Sequence, residues 1–444
     1  MLHLITTISK YTILILFALY TYESFAVLRP GMKLKRKEWI YKKQKALTYL
    51  LLLNANAVLL CVTMDVRVLF MAVAEIVFLS IATMVYSKIY DGASILVLNN
   101  MNMLLGIGFV ILTRLDVDRA IKQFVIAIIA LIVTVLIPVF ISKLKFLNKL
   151  SFLYALIGIL LLGIVALAGK SEYGAKLNLS LGPVSVQPSE FVKIIFVFFV
   201  AAILYDYEEL YEVLYATVVA LLHVGLLVAS RDLGGATIFL ITYLCMLYVA
   251  TKKVWIILGG AGLGVVGGYF AYKLFSHVQT RVIAWLDPLS VIDKEGYQVS
   301  QSLFAIGTGG WFGSGLGEGM PTKIPVVSKD FVFAAISEEF GGAFALCLIF
   351  VCINCMLMFF NISMSIHDSF FKLIALGLAV EYASQVFITI GGVIKFIPST
   401  GVTLPLVSYG GSSLLSTMIV FAVIQGLYMK RNEEESEIED EKEE

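Results

Sequence analysis

Long apolar runs, separated by short polar segments, extend along almost the whole chain. A helix needs about 20 apolar residues to cross the hydrocarbon core of a bilayer. The pattern therefore predicts an all-α polytopic membrane protein with about 13 transmembrane helices. The longest polar stretch, residues 276–331, falls between predicted helices 10 and 11. The apolar runs lie near residues 11–28, 46–64, 67–87, 93–113, 122–142, 150–169, 188–205, 211–229, 235–250, 254–275, 332–360, 369–394 and 405–429.

Composition agrees with this class. Only 15% of the 444 residues are charged and 59% are hydrophobic, whereas soluble domains carry about 25% charged residues. The net charge of +1 gives no indication of nucleic-acid binding. All five cysteines lie inside apolar runs, which favours small buried hydrophobic side chains over a disulfide or zinc set.

Basic residues predict the orientation, because Lys and Arg near helix ends stay cytoplasmic. Four clusters agree with one alternating scheme, which puts the N-terminus outside, the C-terminus inside and segment 276–331 in one long extracellular loop. Arg114, Arg119 and Lys122 contradict the scheme, since they fall outside. A cleaved signal peptide ending near Ala26 is the alternative for the first run, and the basic block that follows argues against it. The four clusters lie at residues 29–45, 143–149, 252–253 and from 430 onward.

The long loop is rich in glycine, with seven between residues 307 and 319. Glycine permits unusual backbone shapes and close approach to a ligand. Trp311, Phe312, Leu316 and Met320 interrupt the glycines. This composition favours an ordered re-entrant or surface-lying segment over a flexible linker.

Several ionisable residues fall within or beside the apolar runs, where insertion costs about 2.5–3.5 kcal/mol each. Glu190 and Lys193 are spaced to pair on one helix face, and a structural ion pair is as good an explanation as a functional role. Arg231 and Asp232 interrupt an apolar stretch. For Glu338 and Glu339 a structural role is favoured, with neighbouring backbone or a lysine of another helix as the partner.

Asp330 lies where the long loop meets the next helix. A carboxylate there suits a general base or a divalent-metal ligand. It equally suits a helix N-cap, and the residues alone leave both explanations open.

Several short motifs resemble the FtsW/RodA/SpoVE (SEDS) family. They recur in order between roughly residues 150 and 429, and the last one is the most specific. This predicts N-terminal helices over 1–149 that are partly additional to the family core, a core over 150–429, and a disordered acidic cytoplasmic tail over 430–444. The motifs are 187–193 (QPSEFVK), 232–234 (DLG), 287–288 (DP), 296–310 (GYQVSQSLFAIGTGG), 313–317, 324–325 (IP), 330–334 (DFVFA), 338–341 (EEFG), 398 and 401–413 (GVTLPLVSYGGSS).

The resemblance implies a peptidoglycan glycosyltransferase of the cell membrane, serving division, elongation or sporulation. Such an enzyme polymerises lipid II on the outer face with a class B penicillin-binding protein, by an inverting reaction. The essential acid of the family falls on Asp330, as catalytic residue or as a ligand of Mg²⁺ or Mn²⁺. Cationic groups would steady the diphosphate, with Lys193 and Arg281 favoured over Lys176 and Arg231. The remaining predicted substrate-binding residues are Glu190, Asp232, Gln298, Gln301, Ser408, Tyr409 and Ser412.

The chain departs from the family pattern beside the acid. The usual Pro-Glu-x-His-Thr-Asp is here Pro325-Val326-Val327-Ser328-Lys329-Asp330. The charge of Lys329 favours an ionised Asp330, which suits metal binding or an electrostatic role more than a general base. Two alternatives to the enzyme therefore stay open: a non-catalytic scaffold for a penicillin-binding protein and a flippase for lipid-linked precursors.

Overall fold

Each of the thirteen apolar runs contains helix in the computed structural model, which describes residues 2–90, 92–144, 146–172, 175–181 and 184–443. For residues 2, 170–172, 175–176, 181, 184 and 438–443 it describes the backbone alone. In this part of the chain, twelve helices are long and apolar enough to cross a membrane. The remaining run, 188–205, forms Ser189–Leu204, a helix of only 16 residues. The predicted class, an all-α polytopic membrane protein, is confirmed.

The chain divides into two compact units. The first comprises Met1–Val135, Ala284–Cys355 and Thr389–Gly410, and the second Leu136–Ile283, Met356–Ile388 and Gly411–Glu444. The helices are α1 Leu2–Ala26, α2 Leu34–Thr63, α3 Val66–Ile89, α4 Ile95–Leu115, α5 Val117–Thr134, α6 Ile137–Lys143, α7 Ser151–Ala168, α8 Ser189–Leu204, α9 Leu210–Ala229, α10 Leu233–Thr251, α11 Val254–Leu274, α12 Ser276–Leu286, α13 Tyr297–Gly309, α14 Val332–Phe340, α15 Gly342–Ser365, α16 Ser369–Val393 and α17 Gly411–Glu443.

Two predicted helices are each split in two. Pro138 lies in the first turn of α6, where its missing N–H costs little, but it cannot continue the preceding helix. Gly341 separates α14 from α15 with φ +92°, a left-handed conformation that glycine adopts without strain. The second split leaves α14 as a short helix directly after the long polar segment.

In the first unit, α4 forms the centre. Nearly all of its side chains from Leu96 to Thr113 are buried, and it packs against α2, α3 and α5. Asp116 caps the next helix, since its carboxylate accepts from the backbone N–H groups of Asp118 and Arg119. This cap fixes the start of α5 and therefore the position of Arg119.

In the second unit, α8 is almost wholly buried and packs against α7, α9, α10 and α17. The segment before it, which the apolar runs leave as a connection between residues 169 and 188, contains three antiparallel strands in the order β1–β2–β3, namely Lys170–Glu172, Ala175–Leu181 and Val184–Val186. The register pairs Leu179 with Val186. Pairing satisfies backbone groups that an irregular loop would leave open.

Two further segments are more regular than expected. The long polar segment contains α12, α13 and a 3-10 turn at Pro321–Lys323, whereas its re-entrant or surface-lying position and its extracellular side stay predictions. The acidic tail, predicted to be disordered, continues α17 as helix to Glu443. Glutamate is a good helix former, and Arg431 pairs with Glu435 one turn later at 3.3 Å.

Candidate active site

Asp330 lies at the entrance to α14, eleven residues after Gly319, the last glycine of the glycine-rich segment. The helix begins at Val332 with Phe331 in the N-cap position, so Asp330 lies one residue before the cap. The N-cap role considered for Asp330 is therefore wrong, because the chain is still in a turn at that residue. Its side chain is half-buried, at the edge between apolar helix and polar segment.

Two predicted residues, Ser408 and Tyr409, hold the chain next to Asp330. The hydroxyl of Ser408 donates to the carbonyl oxygen of Lys329 at 2.5 Å. The backbone N–H of Tyr409 donates to the carbonyl oxygen of Ser328 at 2.7 Å. Both contacts lie on the backbone, so these residues fix the position of Asp330 by anchoring the two residues before it.

Arg119 adds a third anchor that the sequence motifs did not indicate. Its guanidinium donates to the hydroxyl oxygen of Ser328 at 2.7 Å and pairs with Asp116 at 3.0 Å. It also lies 5.9 Å from the ring centroid of Tyr409. About half of the Arg119 side chain (46%) stays exposed, so a cationic surface lies beside the segment that carries Asp330. The signal in the sequence was the apparent contradiction of the positive-inside rule.

Arg114, another of those exceptions, lies in a buried ion pair. Its Nε atom is 2.9 Å from Oε1 of Glu339, whose side chain is completely buried. A second guanidinium nitrogen donates to the carbonyl oxygen of Gly319 at 3.1 Å. Burial raises the pKa of Glu339 to about 7, although the positive charge of Arg114 opposes that shift.

One carboxylate oxygen of Glu338, Oε1, accepts from the backbone N–H of Met320 at 2.9 Å, whereas Oε2 is buried and has no hydrogen-bond partner among the described residues. The structural role expected for Glu338 and Glu339 thus has an explicit form, with an arginine in place of the lysine considered earlier. Both carboxylates bind the glycine-rich segment to α14.

The glycine-rich segment covers the C-terminal end of α14. The last carbonyl groups of a helix lack partners within it, and here Ser314 N–H donates to Glu338 O at 2.9 Å and Gly315 N–H to Glu339 O at 3.0 Å. Gly313 has φ +77°, and an added Cβ atom would lie 2.3 Å from the carbonyl oxygen of Glu339. The close approach that glycine permits is therefore made to α14 itself.

In the second unit, Glu190 and Lys193 pair as expected, with 3.0 Å between Oε2 and Nζ. The ammonium group also donates to Gln385 at 2.7 Å and lies 3.5 Å from Glu381. Ser416 donates to Glu190 at 3.0 Å. Lys193 is only 5% exposed. This network gives Lys193 a structural role within its unit, and its predicted part in substrate binding stays a prediction.

Three other predicted residues of this unit have defined contacts. Asp232 caps α10 by accepting from Gly235 N–H at 2.8 Å, and the hydroxyl of Ser412 accepts from Gln187 N–H at 2.9 Å. Arg231 has φ +64° and lies 6.0 Å from the ring of Phe275.

The positive charges of Arg281 and Arg231 both affect the pKa of His277. Burial, and then the positive charges of Arg281 and Arg231, lower the pKa of His277. The two arginines therefore contribute positive charge to one region of the second unit. The side chain of Lys176 lies outside the described part of the chain.

Gln298 and Gln301 lie on α13 of the first unit, three residues apart and half-buried. Helix α13 packs on α14, and Gly309 allows this contact because a Cβ atom there would lie 2.1 Å from Ser337 O. Asp330, Gln298, Gln301, Ser408 and Tyr409 thus belong to the first unit. The other predicted residues belong to the second unit.

Asp330 could hold a divalent metal only together with oxygen ligands from a substrate. Among the described residues, no group of three His, Cys, Asp or Glu side chains is placed to hold a metal ion. Mg²⁺ is commonly bound by one or two carboxylates together with substrate phosphates. Asp330 meets that requirement where a diphosphate substrate supplies the remaining oxygen ligands.

Fold and site together define a polytopic helical membrane protein that presents an acidic residue, Asp330, at the anchored end of its long polar segment. The model of the FtsW/RodA/SpoVE family, described as cell cycle proteins, matches residues 99–433. The chain belongs to this family.

Similar proteins carry the names of this family. The peptidoglycan glycosyltransferase RodA of Mycobacterium tuberculosis strain H37Rv is 34% identical over 357 residues, with 72% of this chain and 75% of the relative covered. The probable peptidoglycan glycosyltransferase FtsW of Saccharophagus degradans is 36% identical over 302 residues, with 65% and 78% covered. The family match begins at residue 99, so α1, α2 and α3 precede it.

Two solved structures share the fold. A chain from a study of polymerization and crosslinking by a peptidoglycan synthase complex superposes with a TM-score of 0.65 at 23% identity, covering 77% of this chain and 99% of the other. The Thermus thermophilus rod shape determining protein RodA gives a TM-score of 0.59 at 23% identity, covering 77% and 98%.

Proposed function

We propose that this chain is a peptidoglycan glycosyltransferase that polymerises lipid II into glycan strands on the outer face of the cytoplasmic membrane, with Asp330 as its acidic catalytic residue. One observation carries the proposal. Asp330 directly follows two residues whose backbone and side-chain groups are held by Ser408, Tyr409 and Arg119. Such anchoring is what a catalytic carboxylate needs, because small displacements of a reacting group are costly.

In this reaction a sugar hydroxyl of one lipid-linked chain attacks the anomeric carbon of another. The bond from that carbon to the diphosphate oxygen breaks, and undecaprenyl diphosphate leaves with the electron pair. A single displacement inverts the configuration at the carbon. The hydroxyl proton passes to the carboxylate of Asp330, acting as general base.

The same site offers positive charge for the leaving group. The guanidinium of Arg119 is half exposed and is held by Ser328, two residues before Asp330. We assign Arg119 to the diphosphate, since preorganised cations stabilise charge that develops in the transition state. A divalent metal held by Asp330 would supply further neutralisation of the diphosphate.

The partner and orientation follow from the same proposal. A class B penicillin-binding protein would crosslink the strands, and the N-terminus would lie outside with the C-terminus in the cytoplasm. The four basic clusters support this orientation. The buried ion pair of Arg114 and the site contacts of Arg119 supply a reason for two exceptions to it.

The direct test is a polymerisation assay. The purified full chain with its partner transpeptidase is supplied with lipid II and Mg²⁺ or Mn²⁺, and glycan strands are resolved on a gel. We expect strands with either metal and at least a tenfold loss after chelation, since charge neutralisation of a diphosphate contributes several kcal/mol. If folded protein with its partner produces no strands under any metal condition, the proposed activity is wrong.

Arg119 gives a second test. Replacing Arg119 with glutamine should lower kcat/KM for lipid II about tenfold, because one charge-assisted hydrogen bond contributes about 1.5–3 kcal/mol. Arg67→Gln is the matched control, since that arginine is exposed and pairs with Asp65 and Asp118. Equal kcat/KM values for Arg119→Gln and wild type would remove Arg119 from the site.

A further inference from the structure

Helix α1 precedes the family match, yet it contacts the segment that leads to Asp330. The ammonium group of Lys10 donates to the carbonyl oxygen of Gly313 at 3.1 Å. The hydroxyl of Thr6 lies 3.2 Å from Oε1 of Glu318 and 3.0 Å from the carbonyl oxygen of His3 in the same helix, so these two acceptors share its one proton. The ring of Tyr11 lies 5.8 Å from that of Phe312. One face of α1 therefore follows the glycine-rich segment over seven residues, 312–318.

The other end of α1 is fixed in the core of the first unit. The hydroxyl of Tyr20 donates to Asn100 at 2.9 Å, and the amide of Asn354 donates to the carbonyl oxygen of Ser24 at 2.9 Å. The rings of Phe17 and Phe344 lie 4.3 Å apart. Satisfied polar contacts in a buried region hold one arrangement. The α1 helix is thus a rigid support for the segment that it touches.

The second support of this segment is α14. Ser314, Gly315 and Met320 bond to the end of α14 through Glu338 and Glu339. The glycine-rich segment is therefore held between α1 on one side and α14 on the other. We call the segment closed when it makes its contacts with both helices. Without the α1 contacts, only the contacts with α14 hold it in that position.

We infer that α1 is a positioning element for the acidic site and that Lys10 is its main positioning residue. Lys10 carries more weight than Thr6, because its donor is charged and because the acceptor of Thr6 belongs to Glu318, an exposed residue. Lys10 acts on the backbone of Gly313, so it sets the fraction of molecules with the segment closed. A smaller closed fraction lowers kcat and leaves KM unchanged, as long as substrate binds both forms equally.

The consequence for catalysis rests on the proposed function, whereas the consequence for the segment does not. The experiment therefore has two measurements on the purified full chain with its partner. Hydrogen exchange followed by mass spectrometry reports on peptides covering residues 310–320. Steady-state polymerisation of lipid II reports kcat and KM separately.

Lys10→Met should speed exchange in residues 310–320 about fivefold and lower kcat about fivefold, with KM within about twofold, as expected for the loss of one hydrogen bond. Lys10→Arg should restore both values, since arginine keeps the charged donor. Thr6→Val and Thr7→Val form a matched pair on the same helix. The hydroxyl of Thr7 donates to His3 O at 2.7 Å within α1, so Thr7→Val should change neither value, while Thr6→Val should speed exchange about twofold.

Each outcome decides the inference. Unchanged exchange in folded Lys10→Met overturns it, and so does a rise in KM with unchanged exchange, which would place Lys10 on the substrate. Where Lys10→Met does not fold, the pair of threonine variants decides by exchange alone. A wild-type protein without activity refutes the proposed function, and the exchange measurements still test the role of α1.

Discussion

Replacing Asp330 with asparagine should lower the rate of glycan-strand formation at least about 100-fold, the range expected for loss of a general base. The substitution keeps the size of the side chain and removes its charge and its proton affinity. Folding should be retained, because the segment around Asp330 is held by Ser408, Tyr409 and Arg119. The measurement is the initial rate of lipid II polymerisation alongside Tm in detergent.

Asp293→Asn is the matched control, since Asp293 is an exposed acid in the same long segment. It should keep the full rate.

Asp330→Glu separates two roles of the acid. A displaced general base loses most of its rate, whereas a carboxylate that neutralises charge or holds a metal loses less. Full activity of Asp330→Asn would refute catalysis by this residue. Strand formation absent from both wild type and variant, with cell growth supported by both, would favour the scaffold.

The membrane-spanning part of the fold was accessible from sequence because long apolar runs have few alternatives in a bilayer. The short elements were harder. Strand β2 alternates Leu177, Leu179 and Leu181 with polar residues, which is the period of a strand, so a signal was present and was missed. The splits at Pro138 and Gly341 were also marked by their residue types.

Some residues of the candidate site were also predictable from sequence, and others were not. Asp330, Ser408 and Tyr409 came from local motifs, and the structure places the latter two against the backbone beside the acid. Arg119 was visible only as an exception to a charge rule. Its contact with Ser328 joins positions 209 residues apart in the chain, and no local pattern specifies a pairing over such a distance. The same holds for Glu381 and Gln385 around Lys193.

The buried pair of Arg114 and Glu339 yields the second large effect. Arg114→Met should destabilise the folded protein by about 3 kcal/mol at pH 8, because removing one partner of a buried pair leaves the other charge unpaired. The carbonyl oxygen of Gly319 loses a donor as well. Arg67→Met is the control, since Arg67 is exposed and pairs with two acidic residues on the surface, where solvent screens ion pairs; it should leave Tm unchanged.

The loss should depend on pH in a defined direction. Burial raises the pKa of Glu339 to about 7 in the folded protein, above the unfolded value of about 4.3. A raised carboxyl pKa means that protonation favours the folded state, so its contribution is present in full below about pH 4 and is lost as pH rises through the folded pKa. Without Arg114 the folded pKa rises further, because the opposing positive charge is gone. Arg114→Met should therefore lose up to about 1.4 kcal/mol more stability at pH 8 than at pH 5, because pH 8 lies one unit above the folded pKa of Glu339 in the wild type. The rest of the loss comes from the bond to Gly319 and should not change with pH.

Thermal unfolding in detergent from pH 5 to pH 8 measures this difference. The double variant Arg114→Met with Glu339→Gln should recover most of the stability lost at pH 8, since it removes the buried charge together with its partner. A loss independent of pH, or a double variant no more stable than Arg114→Met, would show that Arg114 stabilises the fold by packing and by its bond to Gly319 alone. In either case the variant tests whether the end of α14 and the glycine-rich segment are held together by charge.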